Sequence, residues 1–174
     1  IRWIERSLNR FLNKTLGTDD LDYVIASDTD SVYITFEKLI DKLNPKDPVK
    51  FLDQICTDKV EPFIDGKYAE LAEYVNAYEQ KMVMKREVIA DKGIWTAKKR
   101  YILNVHNSEG VQYAEPKLKM MGIEAVKSST PQVCRDKIRD ALKVIMTGSE
   151  DDLNDFIQDF RKDWMDMSPT AIAF

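Results

Sequence analysis

The chain has 174 residues, of which 44% are hydrophobic and 32% charged, a balance typical of a globular protein with one or one and a half domains. Two cysteines and one histidine are too few for a structural zinc site or a disulfide framework, and they fit a reducing compartment. No apolar run reaches the length of a membrane span, so no membrane partner is expected.

Charge is distributed unevenly along the chain, although the formal net charge is only −4. Residues 92–127 carry seven basic and three acidic side chains, whereas residues 150–166 carry seven acidic and two basic ones. A phosphate backbone responds to the local field rather than to the total charge. The basic segment therefore agrees with a nucleic-acid partner, even though the whole chain is acidic.

The first part of the chain predicts a helix followed by a β-hairpin. Residues 1–16 repeat apolar side chains at spacings of three and four, and Gly17 follows in a typical helix-stop position. Residues 23–26 and 31–36 are rich in apolar, β-branched and aromatic side chains, which favours strands. Residues 27–30 would then form the turn of the hairpin.

The middle of the chain predicts a mostly helical segment over residues 49–78, after a short helix. Pro62 and Gly66 are expected to kink or split this segment. Strands are expected at residues 82–90, 94–105 and 111–121, joined by turns at 91–93 and 108–110.

The last part of the chain changes to a helical pattern. Thr130 followed by Pro131 predicts a helix over residues 131–147, and Ser149 with the acids behind it predicts the start of another. The expected fold class is α+β, with an antiparallel sheet and packed helices over residues 1–121 and a helical region over residues 122–174. The non-Met start and the apolar tail, Ala171 to Phe174, are expected in a piece of a longer protein.

Two carboxylates, Asp28 and Asp30, stand one residue apart at the predicted hairpin turn. Like charges held this close disfavour each other's ionisation unless a cation lies between them. Magnesium binds a few protein carboxylates and fills its remaining positions with water and phosphate oxygens. The pair is therefore a candidate metal site for phosphoryl or nucleotidyl transfer.

The alternative is that both aspartates only cap the backbone of their own turn, as Asp and Ser often do. A calcium loop does not fit, because Val32 stands at the third ligand position and no glycine follows at the required place. Manganese-dependent glycosyltransferases also use two aspartates at this spacing. They place them after a nucleotide-binding α/β sheet, and the residues before Asp28 contain no such sheet pattern.

Several stretches resemble the family B DNA polymerases, in particular the replicative enzymes of tailed phages. Ser27-Asp28-Thr29-Asp30-Ser31 resembles the D-T-D-S signature of the family, and Lys98-Lys99-Arg100-Tyr101 resembles its K-x-Y motif about 70 residues later. The stretches WTAKKRYILNV, YAEPKLKMMGIE and KSSTP are also similar to those phage enzymes. The resemblance covers nearly the whole chain.

The resemblance implies specific roles at the matching positions. Asp30 would be the ligand shared by two metals, and Asp28 would lie beside them as a weaker or indirect ligand. Glu87 matches an acidic residue near the metal site, although it could equally pair with Lys85 or Arg86. Lys99 and Tyr101 would hold the primer strand near its growing end, and Lys98 would touch phosphate or stack nearby. The implied DNA-binding residues also include Arg100 and Lys127. Without the resemblance, residues 98–100 would be interpreted as a solvated strand face.

The resemblance implies a C-terminal polymerase palm over residues 1–121 and the base of a thumb over residues 122–174. The implied reaction is template-directed extension of a primer 3′ end with two Mg²⁺ ions, or Mn²⁺, in the host cytoplasm. The implied partners are primer–template DNA, a deoxynucleoside triphosphate and the missing N-terminal palm, fingers and exonuclease parts, on the same or another chain. The isolated chain is expected to be inactive; a non-catalytic primer–template-binding module is the alternative.

Two departures from the family pattern stand beside these matches. Ala26-Ser27 replaces the Tyr-Gly that often precedes the first aspartate, which could alter the hairpin slightly because glycine permits positive φ. Residues 1–22 also contain neither the additional metal-binding aspartate of motif A nor the nucleotide-gripping helix of motif B.

Overall fold

The computed structural model describes the backbone of residues 1–172 and the side chains of residues 1–170. The apolar tail noted at Ala171 to Phe174 therefore lies outside the described side chains, and the region predicted over 122–174 is described up to residue 172. Helices and strands are mixed, as the α+β prediction requires. The chain divides into two compact units: Ile1–Ile89 with Asn107–Gln112, and Ala90–His106 with Tyr113–Phe174.

The first unit is built on helices and one hairpin. The helices are α1 (Arg2–Leu16), α2 (Glu37–Leu43), α3 (Pro48–Ile55) and α4 (Glu61–Tyr74), and a π-helical turn, Cys56–Val60, joins the last two. The predicted helix over 1–16 and the stop at Gly17, which has φ 70°, are confirmed. The prediction of a break at Gly66 is wrong, because α4 runs through this glycine; the irregularity is the π-helical turn ahead of Pro62.

The hairpin consists of β1 (Val24–Ser27) and β2 (Val32–Ile34), which are antiparallel. The hairpin packs against one face of α1. Ile4 and Leu8 of this face are 1% and 0% exposed, and they pack with Val24 of β1 in one apolar cluster. The register shifts between Val24 and Ala26, so Ile25 forms a β-bulge. The hairpin is thus fixed to the helix at its base and projects its turn beyond the ladder.

The second sheet has three antiparallel strands in the order β3 (Val88–Ala97), β4 (Arg100–Ser108) and β5 (Val111–Met121). The predicted turn at 91–93 is wrong, because these residues lie inside β3. Gly93 is there for packing: a Cβ on it would come within 2.7 Å of the Trp95 ring and 2.8 Å of Leu103. The turn between β3 and β4 instead falls at Lys98-Lys99, which divides the strand predicted over 94–105.

The strand predicted over 82–90 is also wrong for most of its length, since β3 begins at Val88. Residues 81–87 have no ladder partner within the described part of the chain. Side chains hold them instead: the Arg86 N–H donates to Glu61 over 3.0 Å, the Lys85 ammonium pairs with Glu61 over 2.9 Å, and the Arg86 guanidinium pairs with Asp53. Charged partners on α3 and α4 replace the hydrogen bonds of a sheet.

The second unit adds helices to the greater part of this sheet. They are a 3₁₀ turn (Glu124–Val126), α5 (Gln132–Thr147), α6 (Glu150–Asp166) and α7 (Pro169–Ile172). Its core brings Ile102 together with Ala125, Leu142 and Met146. Ser149 caps α6 in a reciprocal capping box with Asp152, as predicted. Thr130 does not cap α5; Pro131 occupies the N-cap position without a side-chain hydrogen bond.

No helix in residues 1–172 combines the length and the apolar character needed to cross a membrane.

Candidate functional site

The acidic tip, residues Ser27 to Ser31, closes the β1–β2 hairpin. The ladder ends at the pair Ser27 and Val32, and beyond it the Asp28 N–H donates to the Ser31 carbonyl over 2.9 Å. No residue of this tip has positive φ, so it is not one of the turns that demand glycine. The sequence can therefore place two aspartates here without backbone strain.

The two aspartates of the acidic tip have different surroundings. Asp28 is half-buried, and its Oδ1 accepts hydrogen bonds from the Thr29 N–H over 2.8 Å and the Thr29 hydroxyl over 3.2 Å. Asp30 is exposed, and its carboxylate has neither a hydrogen bond nor an ion pair with any described residue. Asp28 is fixed partly by its own turn, whereas Asp30 presents its oxygens to solvent.

A third carboxylate lies at the base of the acidic tip. The Ser27 hydroxyl donates to Glu5 Oε2 over 3.3 Å, so α1 brings an acid to the hairpin that the sequence pattern did not single out. Within residues 1–170, however, no three His, Cys, Asp or Glu side chains converge closely enough to hold a metal ion. The acidic tip offers Asp28 and Asp30 as two hard oxygen ligands. This suits a cation such as Mg²⁺ that completes its shell with water and phosphate.

Glu87, the predicted additional ligand, lines a different feature. This is an open polar groove of about 670 Å³ in the first unit, bordered by Asp53, Thr57, Glu61, Lys85, Arg86, Glu87, Glu109 and Gly110. The Glu87 carbonyl accepts from the Glu109 N–H over 2.7 Å. Burial by itself would raise the pKa of Glu61, but hydrogen bonds from the Arg86 N–H and the Lys85 ammonium outweigh it and lower that pKa. The basic neighbours suggested for Glu87 thus pair with Glu61 and Asp53.

A buried thiol stands beside two of the residues that border this groove. Cys56 opens the π-helical turn, and burial raises its pKa to about 11 against the opposing charge of Arg86. A thiol with this pKa stays protonated at neutral pH, so Cys56 is an inert core residue.

The basic turn, residues Ala97 to Arg100, joins β3 to β4 in the second unit. Lys98 and Lys99 form its tip and are exposed, and Lys99 adopts the left-handed conformation with φ 60°. Neither lysine has a hydrogen bond or ion pair with another described residue. Two unpaired ammonium groups at an exposed tip suit phosphate oxygens or base-edge acceptors.

Two other predicted DNA-binding residues converge on one acid. Arg100 Nη2 donates to both oxygens of Glu124, over 2.5 and 2.6 Å, and the Lys127 ammonium lies 3.2 Å from the same carboxylate. The pKa of Glu124 is lowered, first by its own backbone N–H and then by Lys127 and Arg100. Sequence reasoning missed Glu124, because a lone acid in a basic segment carries no signal of its partners.

Tyr101, the last of the predicted DNA-binding residues, is only 7% exposed. Its ring centroid lies 6.4 Å from that of Trp95, in a tilted arrangement. Most of Tyr101 is therefore buried in the second unit, which leaves it little surface for contact with a ligand. The structure thus exposes Lys98 and Lys99 at one turn, pairs Arg100 and Lys127 with Glu124, and buries most of Tyr101.

Comparisons with known proteins agree with the motif evidence. The chain is 38% identical over 187 residues to the DNA-directed DNA polymerase of Enterobacteria phage T4, an alignment that covers 99% of the chain. It is 42% identical over 164 residues to the DNA-directed DNA polymerase of Escherichia phage RB69, covering 86% of the chain. The chain is a relative of phage DNA polymerases.

The match is confined to one part of those enzymes. The chain spans 21% of the phage T4 polymerase and 18% of the phage RB69 polymerase, which is about a fifth of each relative. No family model matches the chain. The resemblance to phage polymerases predicted from the two motifs is confirmed, and the similarity extends through both compact units.

Proposed function

We propose that the chain is the C-terminal palm and thumb-base part of a family B DNA polymerase, with the palm over residues 1–121 and the thumb base over residues 122–174. The observation that carries this proposal is the similarity of nearly the entire chain to phage DNA polymerases. The acidic tip and the basic turn supply the chemical groups that such a polymerase part would use, which are carboxylates for a cation and ammonium groups for DNA. Because the relatives are about five times longer, the chain acts with the remaining palm, fingers and exonuclease parts.

The proposed reaction is nucleotidyl transfer. The primer 3′-hydroxyl loses its proton and its oxygen bonds to the α-phosphorus of the incoming deoxynucleoside triphosphate, while the bond to the β-phosphate oxygen breaks and pyrophosphate leaves. Divalent cations held by Asp28 and Asp30, Mg²⁺ or Mn²⁺, would neutralise charge on the phosphate oxygens. The role of Glu87 as a further ligand remains a prediction, because this residue lies in the groove beside Asp53 and Glu61.

The residues of the basic turn would hold the DNA. Lys98 and Lys99 offer unpaired ammonium groups to the primer backbone or to the minor groove, whose acceptors are nearly the same for every base pair. Contacts of this kind fix the position of a primer end without reading its sequence. Tyr101, which directly follows the basic turn, would lie beside them.

A non-catalytic primer–template-binding module is the second candidate. It is favoured by the exposed ammonium groups of Lys98 and Lys99, which have no partner among the described residues and need no metal to contact phosphate. A protein of this kind would bind primer–template DNA through the basic turn with a steep salt dependence and would need no metal.

One experiment separates the two. The matching segment of the phage T4 polymerase is replaced by this chain, and primer extension is measured with Mg²⁺ or Mn²⁺. We expect the chimera to extend a primer and the isolated chain to show no synthesis. A chimera that binds primer–template DNA but never extends it would favour the binding module, and synthesis by the isolated chain would refute the proposed need for the missing parts.

A further inference from the structure

The basic turn is held in an unfavourable backbone conformation. Lys99 has φ 60°, in the left-handed region that is less favourable than the right-handed one for a residue with a side chain. Glycine or asparagine would adopt it more easily. A lysine in this place indicates that neighbouring residues fix the turn and that the ammonium group has a use there.

Gly122 is the first of these neighbours. It also has positive φ, 65°, and a Cβ built on it would lie 2.3 Å from the Lys99 carbonyl oxygen and 3.0 Å from Arg100 Cγ. No real Cβ contact is this short, so the backbone of the basic turn rests directly on the backbone of residue 122. Any other residue here would push the turn away.

Glu124 is the second neighbour. It accepts two hydrogen bonds from Arg100, the residue that follows Lys99, and it also pairs with Lys127. Both bonds come from Arg100 Nη2, and each is a charge-assisted hydrogen bond, which is stronger than a neutral one. Glu124 thereby pairs with Arg100 and Lys127, while Lys98 and Lys99 have no protein partner among the described residues.

We propose that Gly122 and Glu124 are positioning residues, which hold the Lys98–Lys99 turn in the conformation that presents both ammonium groups to a DNA backbone. Arg100 acts through Glu124 as part of this support rather than as a direct DNA contact. The inference rests on the proposed function, because it assumes that the two lysines bind primer–template DNA. It adds that two residues outside the K-x-Y motif decide how well they do so.

The test measures binding of the full chain to a fluorescently labelled primer–template duplex by anisotropy, over a range of salt concentrations. We expect Gly122→Ala and Glu124→Ala each to weaken binding about three- to tenfold at low salt and to reduce the salt slope by about one, as expected when a phosphate contact is lost. Gly17→Ala is the matched control, because Gly17 has φ 70° and nothing within 4 Å of its added Cβ. It should bind within about twofold of the parent chain.

For Glu124→Ala, the positioning role and a simple charge effect predict opposite changes in DNA affinity. Removing an acid that pairs with two cations, Arg100 and Lys127, should strengthen DNA binding if Glu124 contributes only its charge. Weaker binding with a smaller salt slope therefore supports positioning, and tighter binding overturns it. Glu124 is 45% exposed, so this variant should fold even if Gly122→Ala does not.

A double variant, Lys98→Ala with Lys99→Ala, separates this inference from the proposed function. If it weakens binding while Gly122→Ala and Glu124→Ala leave the affinity and salt slope unchanged, the positioning role is wrong and the DNA-binding turn survives. If the double variant binds as the parent does, both proposals are overturned. A loss of thermal stability without a change in salt slope would assign the two residues a merely structural role.

Discussion

The acidic tip and the basic turn are two hairpin ends that are stabilised in opposite ways. The acidic tip has no positive φ and relies on local bonds, such as those from Thr29 to Asp28. The basic turn contains a left-handed lysine and depends on residues more than twenty positions away, Gly122 and Glu124. The charged groups also differ in their partners: Arg100 pairs with Glu124, whereas no described cation pairs with Asp30.

This difference shows that the basic turn, and not the acidic tip, is held in place by residues distant in the sequence. The contacts with Gly122 and Glu124 support the backbone of the basic turn, which lowers the cost of ordering this turn on a ligand. At the acidic tip, no described basic side chain pairs with the Asp30 carboxylate. The proposed cation would supply a partner there, whereas the basic turn already has supporting contacts within the protein.

The largest expected effect is at the acidic tip. In the chimeric polymerase, Asp30→Asn should lower the rate of primer extension about 1,000-fold, equivalent to about 4 kcal/mol of transition-state stabilisation. Asp28→Asn should cost less, because Asp28 already gives one oxygen to Thr29. Single-turnover extension measures both.

The control for this effect is Asp20→Asn. It removes the same charge at an exposed position with φ 53°, a conformation that asparagine tolerates well. Its rate should stay near that of the parent chimera. An Asp30→Asn chimera that keeps the parent rate would contradict the metal role of the acidic tip.

The next effect concerns the support of the acidic tip. Leu8 is 0% exposed and packs with Ile4 and Val24 beneath the hairpin, so Leu8→Ala should lower the free energy of unfolding by about 2–5 kcal/mol. Urea denaturation measures this. Leu21→Ala, at a position 41% exposed, should change it by less than about 0.5 kcal/mol. A similar loss in the two variants would show that α1 is not the main support of the hairpin.

A smaller effect sharpens the contrast in backbone strain. Lys99→Gly should raise the free energy of unfolding by about 1 kcal/mol, because glycine adopts the left-handed conformation without a steric penalty. Lys98→Gly removes the same charge at a residue without positive φ, so it should not be stabilising and should cost up to about 1 kcal/mol. Both should weaken DNA binding about threefold at low salt. Equal stability of the two variants would mean that residue 99 stores no strain.

Local patterns were enough to predict much of the fold and the acidic tip. The apolar stripe of α1, the αL glycine at position 17, the strands around Asp28 and Asp30 and the Ser149 cap are all set by residues within a few positions of one another. Signals of this range are written directly in the sequence. The same holds for the turn at residues 108–110, where Glu109 and Gly110 both have positive φ.

The predictions that were wrong concern residues whose conformation depends on tertiary contacts rather than on local composition. Asp91-Lys92-Gly93 has the composition of a turn, yet it lies inside β3, where the side chains of Trp95 and Leu103 occupy the space that a Cβ on Gly93 would need. Residues 82–87 have the composition of a strand but are held by carboxylates from α3 and α4. The support of the basic turn depends on a contact between residues 99 and 122, which no local sequence pattern predicts.

The smallest expected effect is the pH dependence of that support. The pKa of Glu124 is lowered in the folded chain by its own backbone N–H, by Lys127 and by Arg100, so its carboxylate stabilises the fold fully at pH values above its unfolded pKa, about 4.5. That contribution is lost as the pH falls through the lower, folded pKa.

Carbon-13 NMR of the Glu124 carboxyl should therefore show a midpoint below 4.5, and Lys127→Ala should raise it only partly, because the backbone N–H and Arg100 remain. Lys143→Ala, whose ammonium pairs with Asp140, serves as the control and should leave the midpoint unchanged. The hold on the basic turn would then persist throughout the neutral range. A Glu124 midpoint at or above 4.5 would contradict the support of the basic turn by Glu124, and with it the contrast between this turn and the acidic tip.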